Sequence, residues 1–191
     1  MPNARTHDVI TVVTGIALAP LSYASALTQG RLSTTAGTDT LIFVGAHLLS
    51  GIMFSPDLDI DSAIDNRWGI FHWIWHPYRW LIPHRRWLSH GLVIAPLLRL
   101  LYFGGVLSLV SIVAAWLFAQ LDIVIPQYHL YVARYLWALT DLYPRESWLI
   151  VLGFITGAAA HTIADWLATG GKRFLRVLGL RVPKNRTGDH R

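Results

Sequence analysis

The stretch Trp148-Leu-Ile-Val-Leu-Gly-Phe-Ile-Thr-Gly-Ala-Ala-Ala-His161-Thr-Ile-Ala-Asp165 decides how this chain is read. An apolar run of this kind suits a bilayer crossing, which takes about 20 residues. It ends in a histidine and a carboxylate four residues apart. On a helix those positions share a face, so imidazole and carboxylate can point at one ion. Ionisable groups at such depth are costly without an ion or partner, which marks the pair as functional. The plainer alternative is a hydrogen bond between the two that faces neighbouring helices.

Working outward, apolar spans are expected at roughly 8–28, 38–54, 91–121 and 147–168. The composition agrees: 191 residues, 53% hydrophobic, 14% charged, nine Trp and a mean hydropathy of +0.42 exclude an ordinary soluble domain. The fold expected is an all-α, polytopic membrane bundle of four transmembrane helices with interfacial helices. Pro20 is expected to kink the first span, and Gly104-Gly105 to break the third. Between the second and third spans, Ser55 to Ser89 is dense in Trp68, Trp73, Trp75, Tyr78, Trp80 and Trp87, the composition of short helices lying on a membrane surface. Pro126 to Tyr143 reads the same way. The first apolar run, Val9 to Leu27, has a signal-like Ala24-Ser25-Ala26 but only Arg5 before it, together with Asp8, so retention is expected. One membrane domain is read over 1–170, followed by a basic tail over 171–191.

Basic residues set the orientation. One side collects Arg5, Arg67, Arg79, Arg85, Arg86 and the tail; the other has Arg31, Arg134 and Arg145. The positive-inside rule then puts both termini and the Ser55–Ser89 loop in the cytoplasm of an inner or plasma membrane. The formal charge of +5 comes largely from the tail, which suits anionic headgroups better than nucleic acid. Without cysteine there is no disulfide and no thiolate site, so a metal must be held by nitrogen and oxygen.

Topology gathers the candidate ligands in one layer. His7 precedes span one, Asp57 and Asp59 follow span two, His84 and His90 precede span three, and His161 and Asp165 close span four. His47 lies about 10 Å into span two at 1.5 Å per residue, near the expected depth of His161. Each has a structural alternative: a cap and acidic first turn for Thr6-His7-Asp8, a turn for Asp57 and Asp59, interfacial histidines for His84 and His90. For His47 the alternative is a bond to a nearby backbone or hydroxyl group. Arg85 beside His84 suggests a phosphate or carboxylate partner. His72 and His76 read as interfacial, while His129 and His190 fall outside the layer.

Thr6-His7, His47, Pro56-Asp57-Leu58-Asp59, His84-Arg85 with Ser89-His90, and His161-x-x-x-Asp165 together resemble the YdjM-like inner-membrane proteins, metal-dependent hydrolases by description. Met1-Pro2 through Thr6-His7-Asp8, and Pro83-His84-Arg85 through Leu88-Ser89-His90, look more like a related, largely cyanobacterial family of uncharacterised membrane metal-binding proteins. The resemblance spans residues 1 to about 170. YdjM-like proteins have His-Arg-Gly-x-Thr-His centrally, one residue shorter than here and with Gly at the place of Arg86. The order of ligands is distantly similar to the zinc-dependent phospholipase C and single-strand nuclease superfamily.

The expectation is therefore a membrane-embedded, metal-dependent hydrolase, with a phospholipid or other phosphoester as substrate. Its site would hold a divalent metal, zinc ahead of manganese and iron, as two ions. His7, His47, Asp57, His84, His90, His161 and Asp165 would be ligands, Asp59 a base or bridging ligand, and Arg85 a stabiliser of developing negative charge. The rival expectation is a non-enzymatic metal-binding membrane protein: a store, a transport component or an assembly scaffold. Oligomeric state is left open.

Overall fold

In the computed structural model the described residues are 4–59, 65–82, 91–124 and 126–177; the side chains of Asp57, Asp59, Asp65 and residues 168–177 lie outside the description. Among them the chain is helical and strand-free, an all-α bundle. The helices are α1 (Ala4–Thr28), α2 (Ser33–Met53), α3 (His76–Leu81), α4 (Ile94–Ala119), α5 (Tyr128–Asp141) and α6 (Pro144–Val177). Two 3-10 segments, Pro56–Asp59 and Asp65–Trp75, join α2 to α3. Four helices, α1, α2, α4 and the Pro144–Leu167 part of α6, are long and apolar enough to cross a membrane.

Small residues draw α1, α2 and α6 together. Gly153, Gly157, His161 and Asp165 recur every four residues on α6, and so fall on one face. A Cβ on Gly157 would stand 2.2 Å from the backbone oxygen of His47, and one on Gly153 2.5 Å from that of Phe43. The α6 backbone therefore lies directly against α2, the close approach that a Gly-x-x-x-Gly pair allows. On α1 the buried stripe is His7, Thr11 and Gly15. Thr11 meets Gly51 of α2, where a Cβ would stand 2.4 Å from Cγ2 of Thr11. The inner surface of this three-helix core is thus small and polar, while leucines and valines face outward.

The end of α2 is closed by side chains from distant segments. Its last carbonyls have no intrahelical donor. Arg67 donates to Ile52 O at 2.8 Å, Trp68 Nε1 to Met53 O at 3.1 Å, and Arg99 of α4 to Phe54 O. Cations at a helix C-terminus also meet its dipole favourably. Around Phe54 the rings of Trp68, Trp75, Phe103 and Phe154 pack edge to face at 5.1 to 5.6 Å. This aromatic cluster fastens the 65–81 segment to the end of the bundle that carries His7.

Two expectations shift. α1 is already helical at Ala4, so Thr6 lies inside the helix and is not its cap. Gly104-Gly105 does not break α4, which runs unbroken from Ile94 to Ala119. Glycine costs a helix only part of its stability, and neither position demands a turn. α6 continues to Val177, carrying Lys172, Arg173 and Arg176 on the helix.

Candidate metal centre

His7 stands in the first turns of α1, and His161 and Asp165 in the later turns of α6, on the face set by Gly153 and Gly157. Because α1 and α6 both pack on α2 and run oppositely, the start of one meets the later turns of the other. His7 Nε2 lies 3.3 Å from Asp165 Oδ1, and His161 Nε2 3.8 Å from Asp165 Oδ2. The two imidazoles stack at 3.7 Å between centroids, tilted by 16°. Exposure is 2% for His7, 0% for His161 and 8% for Asp165.

These residues fit a metal ion. One ligand atom from each lies within 4.8 Å of the others. Two ligands about 2.1 Å from a tetrahedral ion stand about 3.4 Å apart, so the His7–Asp165 separation matches directly. His7 Nδ1 is buried and without a hydrogen-bond partner among the described residues, which leaves that ring free to turn either nitrogen to an ion. Two imidazoles and a carboxylate suit zinc, manganese or iron, and the chain has no cysteine to offer a thiolate.

Beside the cluster, Arg67 holds Asp8 through a fork of two bonds, 2.9 and 2.7 Å, while also capping α2. Asp8 is thereby committed to the 65–75 segment, and the first turns of α1 are fixed to it. This pairing went unread in the sequence, although both residues fall on the same expected side.

His47 is held about one turn further into the bundle. Its Nε2 lies 3.0 Å from both Thr11 O and Thr14 Oγ1, and its Nδ1 3.0 Å from Thr156 Oγ1. A carbonyl only accepts, so Nε2 carries the proton; Nδ1 of the neutral ring is then an acceptor facing Thr156 Oγ1, whose one hydroxyl proton is shared between it and Gly153 O at 3.1 Å. Both ring nitrogens are occupied, on three helices at once. This is the hydrogen-bonded role open to His47 beside ligation, and it sets His47 apart from the His7, His161 and Asp165 group. The threonines at 11, 14 and 156, polar residues within apolar runs, were the available signal.

Of the other expected site residues, His84, Arg85 and His90 lie outside the described residues, as do the side chains of Asp57 and Asp59. The backbone of Pro56–Asp59 forms a 3-10 turn packed against α6. His72 Nδ1 donates to Gly69 O at 2.8 Å and the residue is exposed, as are His76 and His129.

At the opposite end of the bundle the sequence concealed a second polar cluster. Asp39, 2% exposed, takes Arg145 Nε at 2.8 Å and Arg31 Nε at 3.4 Å, and Arg145 Nη1 donates to Gln29 Oε1 at 2.9 Å. It ties together the end of α1 and the starts of α2 and α6.

Comparison with curated proteins and with solved structures found no match. Over residues 2–175, however, the chain matches the family described as "Uncharacterized metal-binding protein (DUF2227)". With a buried cluster of metal-ligand type between its first and last described helices and a match over most of its length, the chain belongs to that metal-binding family.

Proposed function

We propose that this is an integral membrane protein that holds a divalent metal between His7, His161 and Asp165 and uses it to hydrolyse a phosphoester at the membrane surface. The observation that carries the reading is the buried set of two imidazoles and one carboxylate, in a chain of a metal-binding family. Three protein ligands is the donor count of catalytic zinc sites. When bound, the ion would supply Lewis acidity toward a substrate oxygen. The residues of the chain then divide the work. His7, His161 and Asp165 hold the ion, and the Asp165 carboxylate offsets part of its charge. Arg67, locked to Asp8 and to Ile52 O, keeps the first turns of α1 in register with the end of α2. Asp57, His84 and His90 are proposed as ligands of a second ion, Asp59 as base, and Arg85 as the group that meets negative charge on the substrate. The resemblance to YdjM-like hydrolases and to zinc-dependent phospholipases supports the hydrolytic direction. The Lys/Arg bias supports a cytoplasmic opening.

A non-enzymatic metal holder is the second reading, and one observation favours it: the three ligands are almost wholly buried. Elemental analysis of purified protein tests the shared part. Wild type is expected to carry at least one transition metal, and His161→Ala or Asp165→Ala to lose most of it; unchanged content in both variants ends the assignment. Turnover separates the two readings. Arg85→Ala is expected to keep the metal and lose hydrolysis of phospholipid or generic phosphodiester substrates. A metal-loaded wild type that turns over none of them leaves the non-enzymatic reading.

A further inference from the structure

The Arg145 end of the bundle carries a groove of about 390 Å³ that has no part in the metal centre. Leu18, Leu21 and Ala26 of α1, Phe43 of α2 and Leu149 and Leu152 of α6 form its apolar walls. At one end it meets Gln29, Asp39 and Arg145. From Gln29 to Leu18 along α1 is about 16 Å at 1.5 Å per residue, so the groove is polar at its head and mainly apolar for several turns below, where Ser22 and Ser25 are its polar lining residues on α1.

The head is electrostatically uneven. One buried carboxylate, Asp39, is shared by two guanidiniums, Arg31 and Arg145. That leaves one positive charge in excess within the cluster. Arg145 spends Nε on Asp39 and one Nη1 proton on Gln29, so its Nη2 donors have no partner among the described residues. The side chains of Arg145 and Arg31 are 34% and 35% exposed. Glu146, the next residue on α6, is turned about 100° round the helix from Arg145. Asp39 orients the guanidinium of Arg145 at the groove, whose remaining donors suit a phosphate oxygen, and Arg31 on the same carboxylate adds positive charge beside it. Trp148, exposed on the groove wall, is the residue type that seats at headgroup level.

We propose that this groove binds one anionic phospholipid, its phosphate on Arg145, with the charge of Arg31 beside it, and one acyl chain along Leu18, Leu21, Phe43 and Leu152. The site lies at the end of the bundle remote from the metal centre. It rests on the membrane reading but not on the hydrolase reading.

Native mass spectrometry of the detergent-purified full chain, with phosphatidylglycerol or phosphatidylcholine added, tests it. Wild type is expected to retain one phosphatidylglycerol in preference to phosphatidylcholine. Arg145→Gln is expected to weaken that retention about tenfold, the scale of one charge-assisted hydrogen bond. Ser22→Trp, which fills the groove and leaves the arginines alone, is expected to abolish it. Metal content and monodispersity of each variant report an intact fold, because the ligands sit at the other end. Equal retention by wild type and both variants overturns the lipid site, as does a dimer whose formation Ser22→Trp blocks, since the occupant is then a second copy. Recovery of the chain in the soluble fraction overturns the membrane reading itself, and the lipid site with it.

Discussion

His47 shows what a single buried imidazole does when both its nitrogens are spoken for. Thr11 O, Thr14 and Thr156 surround it, and Cδ2 of its ring is 3.3 Å from where a Cβ on Gly15 would stand. Truncating it removes the contacts to Thr11 O, Thr14 and Thr156 and leaves a cavity, while Thr14 and Thr156 keep their bonds to Ile10 O and Gly153 O, so the cost is about 0.5–1.5 kcal/mol for each hydrogen bond lost plus that of the cavity. His47→Ala is therefore expected to lower the thermal unfolding midpoint in detergent while the monodisperse fraction keeps its metal. Metal lost from folded His47→Ala protein would return His47 to the ligand set. His161 and Asp165 were legible because their spacing is local: i and i+4 on one helix meet regardless of what surrounds them. The role of His47 was not, because its partners come from α1 and α6, as far as 109 positions away in sequence. Asp39 was hidden for the same reason, since Arg145 reaches it across 106 positions.

Helix against helix, the bundle depends on absent side chains. Where Gly157 faces His47 O and Gly153 faces Phe43 O, any Cβ must push α6 off α2. Gly157→Ala is expected to cost about 1–3 kcal/mol as overpacking. It should also weaken metal retention, because His161 is the next residue on the same face. Gly104→Ala is the control: nothing stands within 4 Å of a Cβ there, and removing a mid-helix glycine stabilises by about 0.5–1 kcal/mol. Circular-dichroism melts of the two proteins should move in opposite directions; a Gly157→Ala melt equal to wild type would mean that α2 and α6 are not packed through this face. Hydropathy located all four long apolar helices, since each is long and uniformly apolar. It is blind to which face of each is inward. That information lay in the small residues at 15, 51, 153 and 157, which the hydrophobic pattern passes over.

For the molecule as a whole, ion pairs and caps fix which ends lie together. His7 with Asp165, Arg67 with Asp8, and Arg99 with Phe54 O place the start of α1, the end of α2, the start of α4 and the later turns of α6 at one end. Arg31, Asp39 and Arg145 place the α1–α2 turn and the start of α6 at the other. α4 leaves the first end and rises about 39 Å over its length, enough to cross a bilayer core of about 30 Å. Its far end and the exposed Gln127 beyond it are then on the Arg145 side. The charge bias is the ground for the proposal that the His7 end is cytoplasmic. Because the chain has no cysteine, single cysteines give an unambiguous readout. Gln127→Cys should react with an impermeant maleimide in intact cells, whereas Ser62→Cys and Thr187→Cys should react only after the membrane is opened. The reverse pattern would put the metal centre on the outer face and remove the cytoplasmic headgroup as its substrate. Labelling of all three in intact cells would show that the chain does not separate two compartments, and the four apolar helices would then need another apolar partner to cover them.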